Sequence, residues 1–424
     1  MRLISLASLM LMVVGGLSLA QIGQKQVPAA EAPAQNGLAV HEWGVFRLHD
    51  SVDFANADMK QEWNGLPRFV YGQVPGRDLP QQQSNILVLK PVIYLHSSRA
   101  CSIDLRVDFP GGMPTVWWPR TTTPAANDGV VTEGAKKGEP FRFLQWNFQI
   151  IKTPPVKESL KPVSDKHWMN RLRAVKADTV SMQNPPSTRD NGLQAEGFEQ
   201  EKFIYYDGMP AKMRGIEMRV AMDKITVANP GSFDAFDVTI VDRRQKDDIR
   251  VARLSKLDHG TKDRPIEFVE AKANGWPDKE AKVLLEQLKD AGLFEDEAQS
   301  LVDVWKQEFF QAEGLTLFYR IPQEQYEKIL PLTMKPKPEK LIRVGLVHRP
   351  YYDPALAEKV AGLVNDLNDD DYQKREQAQE SLVQLGRSAY AHLKLHRNKT
   401  TAPEIKRRLD QILEKYDATE AMRP

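Results

Sequence analysis

The sequence predicts an α+β protein: an antiparallel, β-rich, sandwich-like body with packed helices, followed by a small all-α module. Three observations predict it. Short apolar runs with two-residue alternation, separated by Gly/Pro turns, fill the stretch from Ala39 to about Ile151. The period turns helical near Trp276 and returns to strand at Leu315. From Pro354 onward the apolar residues recur at helical spacing.

The composition supports a packed core. Of 424 residues, 41% are hydrophobic and 27% charged, ordinary values for a globular chain. The formal net charge of +1 argues against a nucleic-acid partner, which selects a strongly basic face. Cys101 is the single cysteine, so no internal disulfide can form, and it reads as a small hydrophobe at a strand start.

The N-terminal residues carry an export signal. Arg2 is followed by the apolar run Leu3 to Val14, and Ser18-Leu19-Ala20 fits a small-x-small cleavage site before Gln21. Residues 1–20 thus read as a signal peptide. The run is short for a membrane span, which takes about 20 residues, and no later segment is apolar enough to cross. Residues 21–38, rich in Ala, Gln and Pro, read as a flexible tether. The expected compartment is the periplasm, the cell envelope or the exterior.

The body is expected over 39–348, where an internal boundary could fall near 155–200. Val40 to Leu48 and Ile86 to Leu95 are strand-like. Ser102 to Phe109 alternates strictly, with Ile103, Leu105, Val107 and Phe109 on one face and Ser102, Asp104, Arg106 and Asp108 on the other. Pro110-Gly111-Gly112 turns the chain into Met113 to Trp118, and Phe141 to Ile151 follows as a strand. Lys166 to Ala177 suggests a short helix, and Asn184 to Gly197 a loop. Lys202 to Tyr206 is strand-like before a turn at Asp207-Gly208, and strands are expected at Phe236 to Val241 and Ile249 to Leu254.

Asp278 to Ala291 reads as a helix ended by Gly292. Glu295 to Ala312 reads as another, with Ala298, Leu301, Val302, Trp305 and Phe309 as its apolar stripe. Leu315 to Ile321 and Leu341 to Val347 close the body, Lys335-Pro336-Lys337-Pro338 being a stiff connector between them. Residues 349–353 form a linker. In 354–424, helices are expected around Leu356 to Leu367, from Asp370 or Asp371 to Leu385, from Ser388 to His396, and after the capping box Thr401-Ala402-Pro403-Glu404. This module holds 12 Lys/Arg and 12 Asp/Glu, so Lys406-Arg407-Arg408 reads as a solvated face.

Two resemblances follow from these residues. Leu367-Asn368-Asp369-Asp370-Asp371-Tyr372, with Arg375-Glu376, Ala378, Leu382 and Leu385-Gly386, resembles a HEAT-type helical repeat, which implies contact with a protein partner. His41-Glu42-Trp43-Gly44, Lys90-Pro91-Val92-Ile93-Tyr94, Phe203 to Gly208, and Trp305 with Phe309-Phe310 before Gly314 resemble an uncharacterised family of exported bacterial proteins. That resemblance implies architecture and compartment alone. The chain departs from it at Leu95-His96, where aromatics are expected, so any role of His96 is this chain's own.

No motif names a reaction. His41-Glu42 lacks the second histidine of a His-Glu-x-x-His zinc site, and there is no Gly-rich phosphate loop or Gly-x-Ser-x-Gly elbow. His41 and His49 lie about 26 Å apart on extended chain and cannot share an ion unless the strand bends. The catalytic candidates are His41 and Glu42. The metal-ligand candidates are His41, His96 and Asp104, with Asp108 beside them. Trp117 and Trp118 are the ligand-binding candidates, because one ring of an adjacent pair on a strand faces outward and can stack on a sugar. His167-Trp168 reads as packing.

Taken together, these features point to an exported envelope binding or scaffold protein, with a protein partner at its helical tail and no cofactor. The alternative is a hydrolase, metal-dependent or acting on envelope polysaccharide, with a site around His41, Glu42 and His96 and a divalent metal as its cofactor.

Overall fold

The computed structural model describes residues 37–421 apart from 56–57, 59–65, 68, 73–83, 123–141, 157–159, 184–197, 222–223, 246–247 and 272–274. The leader at 1–20, nearly all of the tether and the loop Asn184 to Gly197 lie outside the described residues.

The strands, in chain order, are β1 (Leu38–Leu48), β2 (Tyr71–Gly72), β3 (Ile86–Ser97), β4 (Cys101–Asp108), β5 (Met113–Trp118), β6 (Phe143–Ile151), β7 (Thr179–Gln183), β8 (Phe198–Glu201) and β9 (Ile204–Met209). They continue with β10 (Glu217–Ala221), β11 (Lys224–Ala228), β12 (Ala235–Gln245), β13 (Asp248–Leu257), β14 (Arg264–Pro265), β15 (Val269–Glu270), β16 (Gly314–Ile321), β17 (Leu332–Lys335) and β18 (Lys340–Pro350). They form a ten-stranded sheet ordered β15-β13-β12-β16-β18-β1-β3-β9-β5-β2, a five-stranded sheet ordered β17-β4-β6-β7-β8 and a three-stranded sheet ordered β10-β11-β14. The molecule is α+β, as the sequence predicts, and its sheets are largely antiparallel. One pairing departs from that expectation: β1 runs parallel to β18, with Glu42 opposite Arg343. The first and last strands of the body are therefore neighbours at the centre of the large sheet.

The large sheet is covered on both faces. On one face, Val40, Phe46, Val88 and Ile93 pack against Ile103, Leu105, Trp146 and Phe148 of the five-stranded sheet, and Ile225 and Val227 of the three-stranded sheet join the same core. On the other face, Trp43, Val45, Val92, Val344 and Leu346 pack against Leu284, Leu288, Leu301, Trp305 and Phe309. These last residues come from two helices, Asp278–Asp290 and Glu295–Lys306, and from a π-helical turn at Gln307–Gln311 that extends the second. All eleven residues of β1 are buried. A central strand covered on both faces loses the half-solvated alternation of an open sheet.

Local readings change with that coverage. Asp207-Gly208 lies inside β9 rather than in a turn. The Lys166–Ala177 helix shortens to Met169–Arg173, and Arg349 and Pro350 belong to β18 rather than to a linker. The C-terminal residues form helices at Pro354–Asp366, Tyr372–Gln384, Tyr390–Lys399 and Pro403–Ala421. Asp353 and Asp371 cap the first two, each accepting a backbone N–H two residues on. These helices enclose a core of their own, including Val360, Val364, Leu382, Leu393, Leu409 and Ile412.

Gly44 governs the packing at the centre. Between Trp43 and Val45 the partner strand β3 carries a bulge, so Val92 faces Trp43 and Leu89 faces Val45. Two residues of β3, Lys90 and Pro91, thus oppose the single Gly44, and Lys90 takes a left-handed φ of 50°. A methyl group on Gly44 would lie 2.7 Å from the Tyr326 hydroxyl and 3.2 Å from Pro91 Cα. We therefore expect Gly44→Ala to lower stability by about 1–3 kcal/mol, the usual range for overpacking a filled core. Denaturant melts check this, and a variant as stable as the natural chain would remove Gly44 from that role.

Candidate functional site

Strand geometry sends His41 and Glu42 to opposite faces of β1. His41 enters the helical layer with Trp43, and Glu42 enters the sandwich between the sheets. Both side chains are fully buried. A buried ionisable group must be paired or hydrogen-bonded, and each meets a different set of partners.

On the helical face, His41 Nδ1 lies 2.7 Å from Glu297 Oε2 and His96 Nε2 lies 2.7 Å from Glu297 Oε1. His96 is on β3, where it lies opposite Ala39 of β1. Glu297 sits at the third position of the Glu295–Lys306 helix and also accepts the Phe294 backbone N–H at 2.9 Å. Its carboxylate thus satisfies an amide at the helix start and accepts from an imidazole on each oxygen. The Phe294 ring closes the group, with its centroid 4.5 Å from that of His41 and 4.8 Å from that of His96. Burial pushes the Glu297 carboxyl upward, but the hydrogen bonds and charge of His41 and His96 outweigh it and hold the pKa down to about 2. One turn along, Ser300 Oγ meets the Tyr94 hydroxyl at 3.2 Å and ties the same helix to β3 again.

On the sandwich face, Glu42 is ringed by donors. Arg343 Nε donates to Oε2 at 2.5 Å, while the Tyr206 and Tyr326 hydroxyls donate to Oε1 at 2.5 and 3.0 Å. Arg343 Nη1 donates to the Leu330 carbonyl at 2.7 Å, and its guanidinium lies over the Tyr326 ring at 4.2 Å. Burial pushes both phenols well above their ordinary pKa and the adjacent Glu42 charge adds to it, so they remain donors. Burial works against the Arg343 charge, yet the facing carboxylate raises its pKa above the ordinary value.

A third polar group lies toward the C-terminal helices. Arg47 donates to both carboxylate oxygens of Asp58, at 3.0 and 2.8 Å, and also pairs with Glu308. Its Nε donates to His348 Nδ1 at 3.3 Å. Burial works against the charge of Asp58, but Arg47 and His49 hold its carboxyl far below the ordinary range. Burial pushes His348 well below its ordinary 6.5, and the Arg47 charge pushes the same way. His49 Nδ1 lies 2.8 Å from the Tyr352 hydroxyl. Tyr352 stacks on Phe54 at 4.0 Å and meets His392 of the helical module edge-on. Lys399 of the module pairs with Asp53 at 2.5 Å, so the module rests on the body through this aromatic and ionic contact.

Several expected site residues lie elsewhere. Asp104 is not a ligand beside the histidines, for it points off the outer face of the five-stranded sheet and accepts from Gln145 at 2.9 Å. Asp108 pairs with Arg106 on that same face. Trp117 and Trp118 offer no exposed platform: both are buried, Trp117 in the core between the sheets and Trp118 in the core under the helices. The Trp118 indole N–H donates to Glu201 at 3.1 Å. His41 and His96 are brought together, and the residue that joins them, Glu297, escaped sequence reading. A signal was present, since Glu297 lies one turn before Leu301 and falls on the apolar stripe of its own helix.

Two outcomes follow. Glu42→Gln leaves Arg343 charged and unanswered in the interior, and we expect a loss of about 3–5 kcal/mol, as for a broken buried pair. Asp104→Asn on the outer face should stay within about 0.5 kcal/mol. Equal denaturant midpoints for the two variants would contradict this. The second outcome concerns acid. His348 is held neutral in the folded state, whereas the unfolded chain takes up a proton as pH falls below 6.5. Its contribution is therefore present above that pH and lost as pH falls toward the depressed folded value. Urea melts at about pH 7.5 and about pH 5 should show a smaller stability loss in His348→Gln, which keeps an acceptor for Arg47, than in the natural chain. Equal losses would exclude His348 as a source.

Comparison with known protein families and with curated proteins finds no match to this chain.

Proposed function

We propose that the chain is an exported envelope protein that binds or scaffolds a protein partner through its C-terminal helices, with the β-rich body as a rigid support. The observation that carries this reading is the burial of β1 along its whole length. His41 and Glu42 are thereby enclosed between a helical layer and a second sheet, and a polymeric substrate has no approach to either. Their partners tie elements together: Glu297 joins a helix to two strands, and Arg343 joins β18 to β1. The helices, by contrast, carry balanced charge and present exposed side chains such as Tyr372 to solvent.

The second reading, a metal-dependent hydrolase, is favoured by the His41, His96 and Glu297 donor set. Two imidazoles and a carboxylate are the protein ligands of several catalytic zinc sites. Burial separates this group from that chemistry on a polysaccharide.

The scaffold reading is tested in the native host. Mass spectrometry should find the mature N-terminus at Gln21. A photo-crosslinking residue at Tyr372 should form a discrete protein adduct, while one at Val156, equally exposed on the body, should not. An intact Met1 on the mature chain would contradict export, and matching adduct patterns at the two positions would contradict a partner at the helices. Chelator-sensitive hydrolysis of envelope polysaccharide by the purified protein would replace this reading with the second.

A further inference from the structure

We propose that His41, His96 and Glu297 form a sealed site for one divalent transition-metal ion of the zinc type. This goes beyond the scaffold reading and stands without it. The three side chains come from β1, β3 and the start of the Glu295–Lys306 helix, and each is buried. Each offers a ligand atom, and these atoms lie within 4.8 Å of one another. Ligands at about 2.1 Å from a tetrahedral ion are about 3.4 Å apart, so side-chain shifts on the order of 1 Å close the site.

The donor types select the ion. Two of the three are imidazole nitrogens, which favour zinc and its transition-metal neighbours, whereas calcium and magnesium take oxygen ligands. The histidine contacts with Glu297 show that the imidazoles already face the carboxylate. An ion would replace the protons in these two contacts. Glu297 is also oriented from behind, since the Phe294 N–H holds Oε2, the kind of outer contact that fixes metal ligands.

The enclosure sets the role. Phe294 packs on both imidazoles, so the ion would be held away from bulk water and would link two strands of the central sheet to the helical layer. Metal affinity at such a site adds to folding stability, because the unfolded chain lacks the assembled ligands.

The test uses the purified full-length mature protein. It is first stripped with a chelator, then dialysed against Zn2+ and, separately, Ca2+, and bound metal is counted by elemental mass spectrometry. We expect one Zn2+ per chain, no Ca2+, and a melting temperature that rises with Zn2+. His96→Phe should weaken Zn2+ binding more than ten-fold and abolish the thermal shift, while Asp104→Asn on the outer face should keep both. Circular dichroism verifies that each variant is folded. Should His96→Phe fail to fold, the natural chain alone still decides, since less than one equivalent of Zn2+ or an unchanged melting temperature overturns the proposal. Equal Zn2+ uptake by the natural chain and a folded His96→Phe also overturns it.

Discussion

A strand buried on both faces cannot send an ionisable side chain to water, and β1 carries an adjacent histidine and glutamate near its start. Extended geometry throws them to opposite sides, so each needs its own answer from a different layer. Glu297 answers His41 from the helices, and Arg343, Tyr206 and Tyr326 answer Glu42 from the sandwich. Removing any one partner would leave a polar group in a medium that penalises it by several kcal/mol. The positions of β18, the Gln323–Ile329 helix and the Glu295–Lys306 helix are thus coupled to a single dipeptide. Gly44 and the opposing bulge let these elements approach that closely, since a side chain there would displace the tyrosine that donates to Glu42.

The strands were legible wherever alternation was strong. Ile103, Leu105 and Val107 point inward, as their two-residue period requires. The same parity already placed Asp104 on the outer face, away from any site built on β1, so the corrected ligand was readable from the pattern itself. The tryptophans followed a different logic. Alternation does send Trp117 and Trp118 to opposite sides, but helices cover one face and a second sheet the other, so neither ring reaches solvent. Coverage of both faces is a tertiary property that one strand cannot announce. The parallel pairing of β1 with β18 is likewise non-local, joining Ala39 to Lys340, and no local period encodes it.

Glu297 shows why part of the site was hidden. An acidic residue in the first turn of a helix ordinarily complements the helix dipole, and the neighbouring Glu295 and Asp296 supply that pattern on their own. Only position on the stripe distinguishes Glu297 from them. The polar group under the helical module was hidden for another reason. Arg47, Asp58, Glu308 and His348 are scattered over the chain, and burial by the fold, rather than spacing, turns them into one network. That network lies against the Phe54, Tyr352 and His392 rings, so the module rests where the body's own charges are already paired.

The two faces of β1 solve the same electrostatic problem with different chemistry. Glu42 faces a guanidinium, which stays charged across the accessible pH range and fixes the pair permanently. Glu297 faces two imidazoles, whose nitrogens can hold either a proton or a transition metal. On the Arg343 side the counter-charge is therefore built into the chain. On the Glu297 side the partners are two imidazoles, with the Phe294 ring packed against both. An aromatic residue at position 96 would keep the apolar contact with Phe294 but bring no second nitrogen to Glu297. His96 thus adds a second imidazole to the contacts that His41 and the Phe294 backbone N–H make with Glu297, and the proposed metal site depends on it.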